Sequence, residues 1–176
     1  MTTLRMPRGA RLRPSRQRLD RTTGSGREHV LRAVGSGLAG ALALNLVHET
    51  ARRLIPHAPR MDVIAMRAIS RPLRTYLHKG PPPQPQLRRW ALLGDLVSNT
   101  AYFSLVGATS RRNRFMAGLG LGLLAGIGAA VLPRPLGLGP QPGQRTPWTQ
   151  LLTVLWYVIG GWVAAEAADG FEHKHR

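Results

Sequence analysis

The sequence predicts an all-α membrane protein in which four transmembrane helices form a small bundle. Four runs that are almost free of charged residues indicate this fold class, at residues 31–50, 90–108, 115–132 and 149–168. Each run has about 18 to 20 residues, and a helix rising ~1.5 Å per residue would then span about 27 to 30 Å, close to the hydrocarbon thickness of a bilayer. Segments rich in arginine and proline separate the runs. We therefore expect one multi-pass domain in this chain of 176 residues.

The composition excludes several classes of function. The net charge is +17, with 25 Lys and Arg against 8 Asp and Glu. This charge lies at the ends of apolar runs and not on a predicted folded face, so nucleic acid is not an expected partner. The chain has no cysteine, which excludes disulfides and thiolate chemistry. His48-Glu49 begins a zinc-helix motif, but Arg52 stands where the second histidine ligand is required, so no metal site and no cofactor are predicted.

The polar segments receive separate interpretations. Residues 1–30 are rich in arginine and lack apolar periodicity, which predicts a disordered basic tail, and residues 169–176 form a short polar tail. Apolar and arginine residues alternate at helical spacing over residues 60–75, which predicts an amphipathic helix on the membrane surface. Its arginines either contact lipid headgroups or form a solvated face. They are Arg60, Arg67, Arg71 and Arg74.

Two polar stripes interrupt the apolar runs. Asp95, Asn99 and Tyr102 follow one another at i, i+4 and i+7, and the first run ends in a second stripe. An antiparallel arrangement of the first two helices would bring the stripes to one depth, where the fourth helix adds Tyr157. Polar groups in hydrocarbon normally face a protein interior or a wet cavity. The predicted intramembrane cluster comprises Asn45, His48, Glu49, Asp95, Ser98, Asn99, Tyr102 and Tyr157.

The cluster leaves three functions open. Its groups either hydrogen-bond one another and fix the helix packing, or they form a transport or catalytic site. The first hypothesis is a structural or assembly protein without an assigned catalytic residue. The second is a small proton-linked carrier in which Glu49 and Asp95 change protonation. The weakest is a lipid-modifying enzyme that uses His48 as an acid or base.

Small residues at helical spacing predict close helix contacts. Glycine recurs every four residues along the third run, and a glycine pair lies in the fourth. These faces suit packing within the bundle, in a homodimer or against a membrane-protein partner. Gly35-x-Gly37-x-x-Gly40 matches a dinucleotide-binding string, but it lies inside an apolar run without a preceding strand and predicts helix contact instead. The main packing glycines are Gly118, Gly122, Gly126, Gly160 and Gly161.

Orientation in the membrane is weakly determined by the sequence. Basic residues on the cytoplasmic side should outnumber those outside. Four spans with a cytoplasmic amino terminus give only a small excess inside. If the first run were re-entrant, most of the positive charge would lie on one side.

Four short motifs occur in order between residues 31 and 168. They are Arg60-Met61-Asp62, Gly94-Asp95-Leu96-Val97-Ser98-Asn99, Leu132-Pro133 before Pro135-Leu136-Gly137-Leu138, and Thr153-x-x-x-Tyr157-x-x-Gly160-Gly161. In these motifs the chain resembles a family of uncharacterised small bacterial multi-pass inner-membrane proteins, and the long arginine tail is an addition to the pattern. The resemblance implies a helical protein of the bacterial inner membrane and brings no activity, substrate or cofactor.

Overall fold

The computed structural model describes residues 16–55, 58–139 and 146–173, and this part of the chain contains helices and no strand. The all-α class is thereby confirmed. A 3-10 turn at Arg111–Asn113 precedes the fourth helix. The five α-helices are α1 Arg16–Leu54, α2 Met61–Thr75, α3 Gln84–Ala108, α4 Arg114–Val131 and α5 Pro147–His173.

Four of these helices, α1, α3, α4 and α5, pack side by side as an antiparallel bundle. At one end of the α1–α3 pair, Arg32 Nε donates to the Gly107 carbonyl oxygen at 3.4 Å. Toward the middle, Gly40 of α1 faces Gly160 of α5, where an added Cβ would lie 2.6 Å from the Gly160 carbonyl oxygen. Large and small apolar side chains fill the centre of the bundle. They include Leu44, Phe103, Val106, Trp156, Tyr157, Ala164 and Ala165.

The glycine faces lie inside this bundle. A Cβ added to Gly122 would lie 2.6 Å from the Tyr157 carbonyl oxygen, and one added to Gly126 would lie 2.6 Å from Val154 Cα. Gly118 and Gly161 lie directly opposite each other. Since no side chain fits between the backbones at these points, the α4–α5 contact requires glycine.

An ion-pair cluster joins the same two helices at one end of the bundle. Arg114 is only 3% exposed, and its Nη1 donates to Asp169 Oδ1 and Glu172 Oε2, each at 2.6 Å. Glu166 is not part of this cluster, because it lies on the exposed side of α5 and accepts a hydrogen bond from Trp162.

Helix α2 is held against the opposite end of the bundle. Arg67 Nη1 donates to the Leu138 carbonyl oxygen at 3.0 Å, and Arg71 donates to the carbonyl oxygen of Leu136 in the same connection. Gly137 between these acceptors has φ +68°, a left-handed conformation that glycine adopts without strain. The arginines therefore attach α2 to the segment that follows α4.

The first turn of α2 carries a second attachment. Arg60 Nε and Nη2 donate to the two carboxylate oxygens of Asp62 at 3.0 Å, and Arg52 of α1 lies 3.9 Å from the same carboxylate. Burial raises the pKa of Asp62, but the hydrogen bonds and charge of Arg60 outweigh burial and hold this pKa below its usual range. The charged carboxylate is thus favoured in the folded state.

Much of the bundle surface is apolar. Among the described residues, three helical segments are long and apolar enough to cross a membrane, Gly26–Leu54, Arg111–Val131 and Pro147–Glu172. Only 22% of the most apolar stretch of α4 is buried in the protein, so most of this stretch lies on the surface of the bundle. Helix α3 is outside this set because its polar residues lower its mean hydropathy. The prediction of a helical membrane protein is supported, and its fourth span remains a prediction.

Several predicted boundaries differ from the structure, most of all the starts of α1 and α3. Helix α1 begins at Arg16, so residues 16–30 are helical where a disordered tail was expected, while residues 1–15 lie outside the described part of the chain. Helix α3 begins at Gln84, six residues before the predicted start, and Pro85 occupies its first turn. Proline is well suited to that position because the first turn needs no backbone donor. The segment predicted as an interfacial helix is helical from Met61 to Thr75.

The glycine contact between α4 and α5 can be tested by substitution. In Gly122→Leu the new side chain would have to displace the α5 backbone, and we expect the free energy of unfolding to fall by about 2 kcal/mol or more. Gly120→Leu is the matched control, because a Cβ at Gly120 meets nothing within 4 Å. The measurement is the thermal midpoint of the helical circular dichroism in detergent. Equal destabilisation by both variants would contradict the assigned interface.

The attachment of α2 should depend on pH. A carboxylate with a lowered pKa in the folded state stabilises that state above its ordinary pKa, and this stabilisation disappears as the pH falls through the folded value. We expect a spin label on Ala68→Cys to become more mobile as the pH falls from about 7 to about 2, through and below the ordinary carboxyl range. Adding Asp62→Asn should give high mobility at both pH values, whereas Asp169→Asn should retain the transition. A label whose mobility is the same in all these cases would disprove the role of Asp62.

Candidate functional site

A cavity of about 360 Å³ lies between α1, α2 and α3. Helix α2 covers it, and the two longer helices form its walls. Its lining combines apolar side chains with a group of polar and charged ones. The polar members are Asn45, His48, Glu49, Arg52, Asp62, Arg88 and Asp95.

Asp95 is the carboxyl group that belongs to the bundle interior. It is half-buried on α3, and the side-chain amides of Asn99 and Asn45 lie near its carboxyl group. Tyr157 of α5 is 6% exposed and lies within electrostatic range of the same carboxyl group. The structure therefore brings together four of the eight residues in the predicted cluster, and these four come from three different helices.

His48 lies beside this group of four. Its ring makes edge-to-face contacts with Trp156, at 5.1 Å between ring centroids, and with Tyr157, at 6.0 Å. The Nε2 atom is buried and has no hydrogen-bond partner among the described residues. Asn99 Nδ2 is also buried without a hydrogen-bond partner among these residues. Buried donors and acceptors of this kind are rare in folded proteins, and they indicate a place where a ligand or water completes the structure.

Glu49 differs from its predicted place in the cluster. Its carboxylate accepts hydrogen bonds from Arg52 at 2.7 Å and from Arg53 at 2.9 Å, both one turn further along α1. Its side chain is 41% exposed at the rim of the cavity. Glu49 is thus neutralised by its own helix and does not interact with Asp95.

Ser98 and Tyr102 lie on another side of α3. Tyr102 donates its hydroxyl hydrogen to the Leu121 carbonyl oxygen at 3.0 Å, which joins α3 to α4. Ser98 donates to the Asp95 backbone carbonyl at 3.1 Å. Both residues line a shallow groove between α3 and α4 and not the cavity that contains Asp95.

The four arginines predicted to contact lipid headgroups have varied partners. Arg60 is paired with Asp62, and Arg67 and Arg71 donate to backbone carbonyls of the connection after α4. Arg74 is exposed and lies beside Arg67 and Arg71 in a second, open pocket. A guanidinium has five donor hydrogens, so headgroup contact remains a prediction for all four.

The predicted cluster omits three charged residues of the cavity, Arg52, Asp62 and Arg88. Arg88 was assigned to the polar segment before a helix starting at Trp90, whereas α3 already begins at Gln84. The sequence does indicate the position of Arg88. Pro85 favours a helix start, so Arg88 lies within the helix, and its spacing of seven residues from Asp95 puts both on one face. Asp62 could not be located, since its position depends on how α2 folds back.

The arrangement is suited to binding. Apolar walls, a few converging polar groups and buried atoms without partners are typical of small-molecule sites. Among the described residues, His48 Nε2 forms no hydrogen bond to a carboxylate. Nor does any group of three His, Asp or Glu side chains in that part of the chain converge as metal ligands.

Comparisons with protein-family models, curated proteins and solved structures gave no match to this chain.

Proposed function

We propose that this chain is a four-span integral protein of the bacterial inner membrane that binds a small amphipathic solute, in the manner of a carrier. The observation that carries the proposal is the cavity between α1, α2 and α3, where Asp95 and the unpartnered His48 Nε2 lie among apolar side chains. The bilayer is then both the environment of the protein and a source from which an amphipathic molecule can enter.

The outer face of α3 supports a fourth span. Leu93, Val97 and Leu105 are 60%, 67% and 53% exposed, and they line the side of α3 that faces away from the bundle. Helix α3 also runs antiparallel to α1 along its length, and α1 is long and apolar enough to cross a membrane. A helix at that depth with apolar side chains outside and polar ones inside suits a bundle in lipid.

Several hydrogen bonds favour a structural or assembly role as the second candidate. Glu49 and Tyr102 are satisfied within the chain, as expected of groups that fix packing. In that case the cluster would stabilise the fold, and partners or a second copy would bind elsewhere. The glycine faces are already occupied by helices of the same chain. This argues against their use as the docking surface.

Solute binding can be tested by filling the cavity. Ala65 of α2 lines it, so Ala65→Trp would place an indole ring inside and should weaken binding of a neutral fluorescent amphiphile by at least about tenfold. Ala68→Trp is the matched control, because Ala68 is exposed on the same helix. Binding is measured as saturable fluorescence in phosphatidylcholine nanodiscs. Absence of saturable binding to the unmodified protein would disprove the proposed function.

A further inference from the structure

The charges that line the cavity do not all neutralise one another. Glu49 is paired with Arg52 and Arg53, and Asp62 is paired with Arg60. Two charged residues of the lining remain, Asp95 and Arg88. Neither forms a salt bridge with another residue in the described part of the chain. The cavity thus contains one carboxylate and one guanidinium that are available to a ligand.

Both groups project from the same face of α3. They are seven residues apart, which is two helical turns, or about 10.5 Å along the helix axis. Arg88 lies in the second turn of α3, close to its amino terminus, and Asp95 lies deeper in the bundle. Ala91 and Leu92 form an apolar stretch of wall between them. A ligand that reaches both charges must therefore be extended, with a charge at each end.

Each end of the cavity favours a charge of opposite sign. The neighbours of Asp95 are amides and a phenol, which provide no positive charge, so an ammonium group would satisfy a carboxylate in this low-dielectric site. At the other end, Arg88 Nε is buried and has no hydrogen-bond partner in the described residues. The amino terminus of α3 adds positive potential there, which favours an anion.

We infer that the cavity binds a zwitterionic amphiphile, with its ammonium group on Asp95 and its carboxylate or phosphate on Arg88. The apolar part of the ligand lies against Ala91, Leu92 and Leu96. This inference rests on the proposed solute-binding function and specifies the class of solute. The same chemistry occurs in free ω-amino acids and in lipid headgroups with a primary amine. The separation of Asp95 and Arg88 along α3 suits the ω-amino acids, whose two charges are further apart than those of such a headgroup.

Isothermal titration calorimetry in phosphatidylcholine nanodiscs tests this assignment directly. The probes are ω-aminooctanoate, its singly charged relatives octylamine and octanoate, and a short-chain phosphatidylethanolamine. We expect ω-aminooctanoate to bind at least about tenfold more tightly than either relative, because each charge-assisted contact contributes. Stronger binding of the phosphatidylethanolamine would support the same ligand class and identify a lipid as its source.

Substitutions assign each end of the ligand. Asp95→Asn should reduce ω-aminooctanoate to the affinity of octanoate, and Arg88→Gln should reduce it to that of octylamine. Glu166→Gln and Arg89→Gln remove comparable charges outside the cavity and should change nothing. Asp95→Glu and Arg88→Lys keep the charges and should retain most of the binding, which guards against misfolding as the cause of a loss.

Two results would overturn the inference. One is equal affinity for the zwitterion and both singly charged probes, and the other is unchanged selectivity in Asp95→Asn and Arg88→Gln. If the neutral fluorescent amphiphile still binds in a manner sensitive to Ala65→Trp, only the ligand class is wrong. If neither that amphiphile nor any titrated probe binds, the solute-binding function itself fails.

Discussion

The close contact between α1 and α3 is the constraint on which the other features of the structure depend. Gly37 lies against the backbone of α3 at Thr100, and Gly107 lies against the backbone of α1 at Ala33, so only small side chains such as Ser36 fit between the two helices. This contact turns Asp95 and Asn99 of α3 toward α1 and α5, while Tyr102 of the same stripe bonds to α4. A helix with Asp95 at its middle is compatible with hydrocarbon only when its polar face is covered in this way.

The two ends of the bundle differ in how closely the helices meet. At one end, Arg114 closes the α4–α5 pair through Asp169 and Glu172, and the helices meet closely. At the other end, α2 lies over α1 and α3, and the cavity lies between these three helices. Helix α2 is held by polar contacts, from Arg52 of α1 to Asp62 and from Arg67 and Arg71 to backbone carbonyls, and by apolar packing, since Ile64 of α2 is buried.

Local patterns predicted the helices and the packing glycines, because both depend on spacing along a single segment. The members of the polar cluster could be predicted only in part. His48 and Glu49 are adjacent in sequence and about 100° apart around α1, and only the position of the neighbouring helices decides which of them faces inward. Arg52 and Arg53 both pair with Glu49 from one turn further along α1. Tyr102 bonds to α4 because that helix exposes a backbone carbonyl beside it, a relation between helices that no local spacing contains.

The central claim is that α3 crosses the membrane with its polar face inside the bundle. The chain has no cysteine, so a single introduced thiol reports its own side of the membrane without interference. Arg89→Cys and Ser110→Cys lie at opposite ends of α3, and both positions are exposed. In sealed vesicles of one orientation, we predict that a membrane-impermeant thiol reagent labels only one of the two, and that Leu54→Cys, at the end of α1, matches Arg89→Cys. Labelling of Arg89→Cys and Ser110→Cys from the same side would contradict the account.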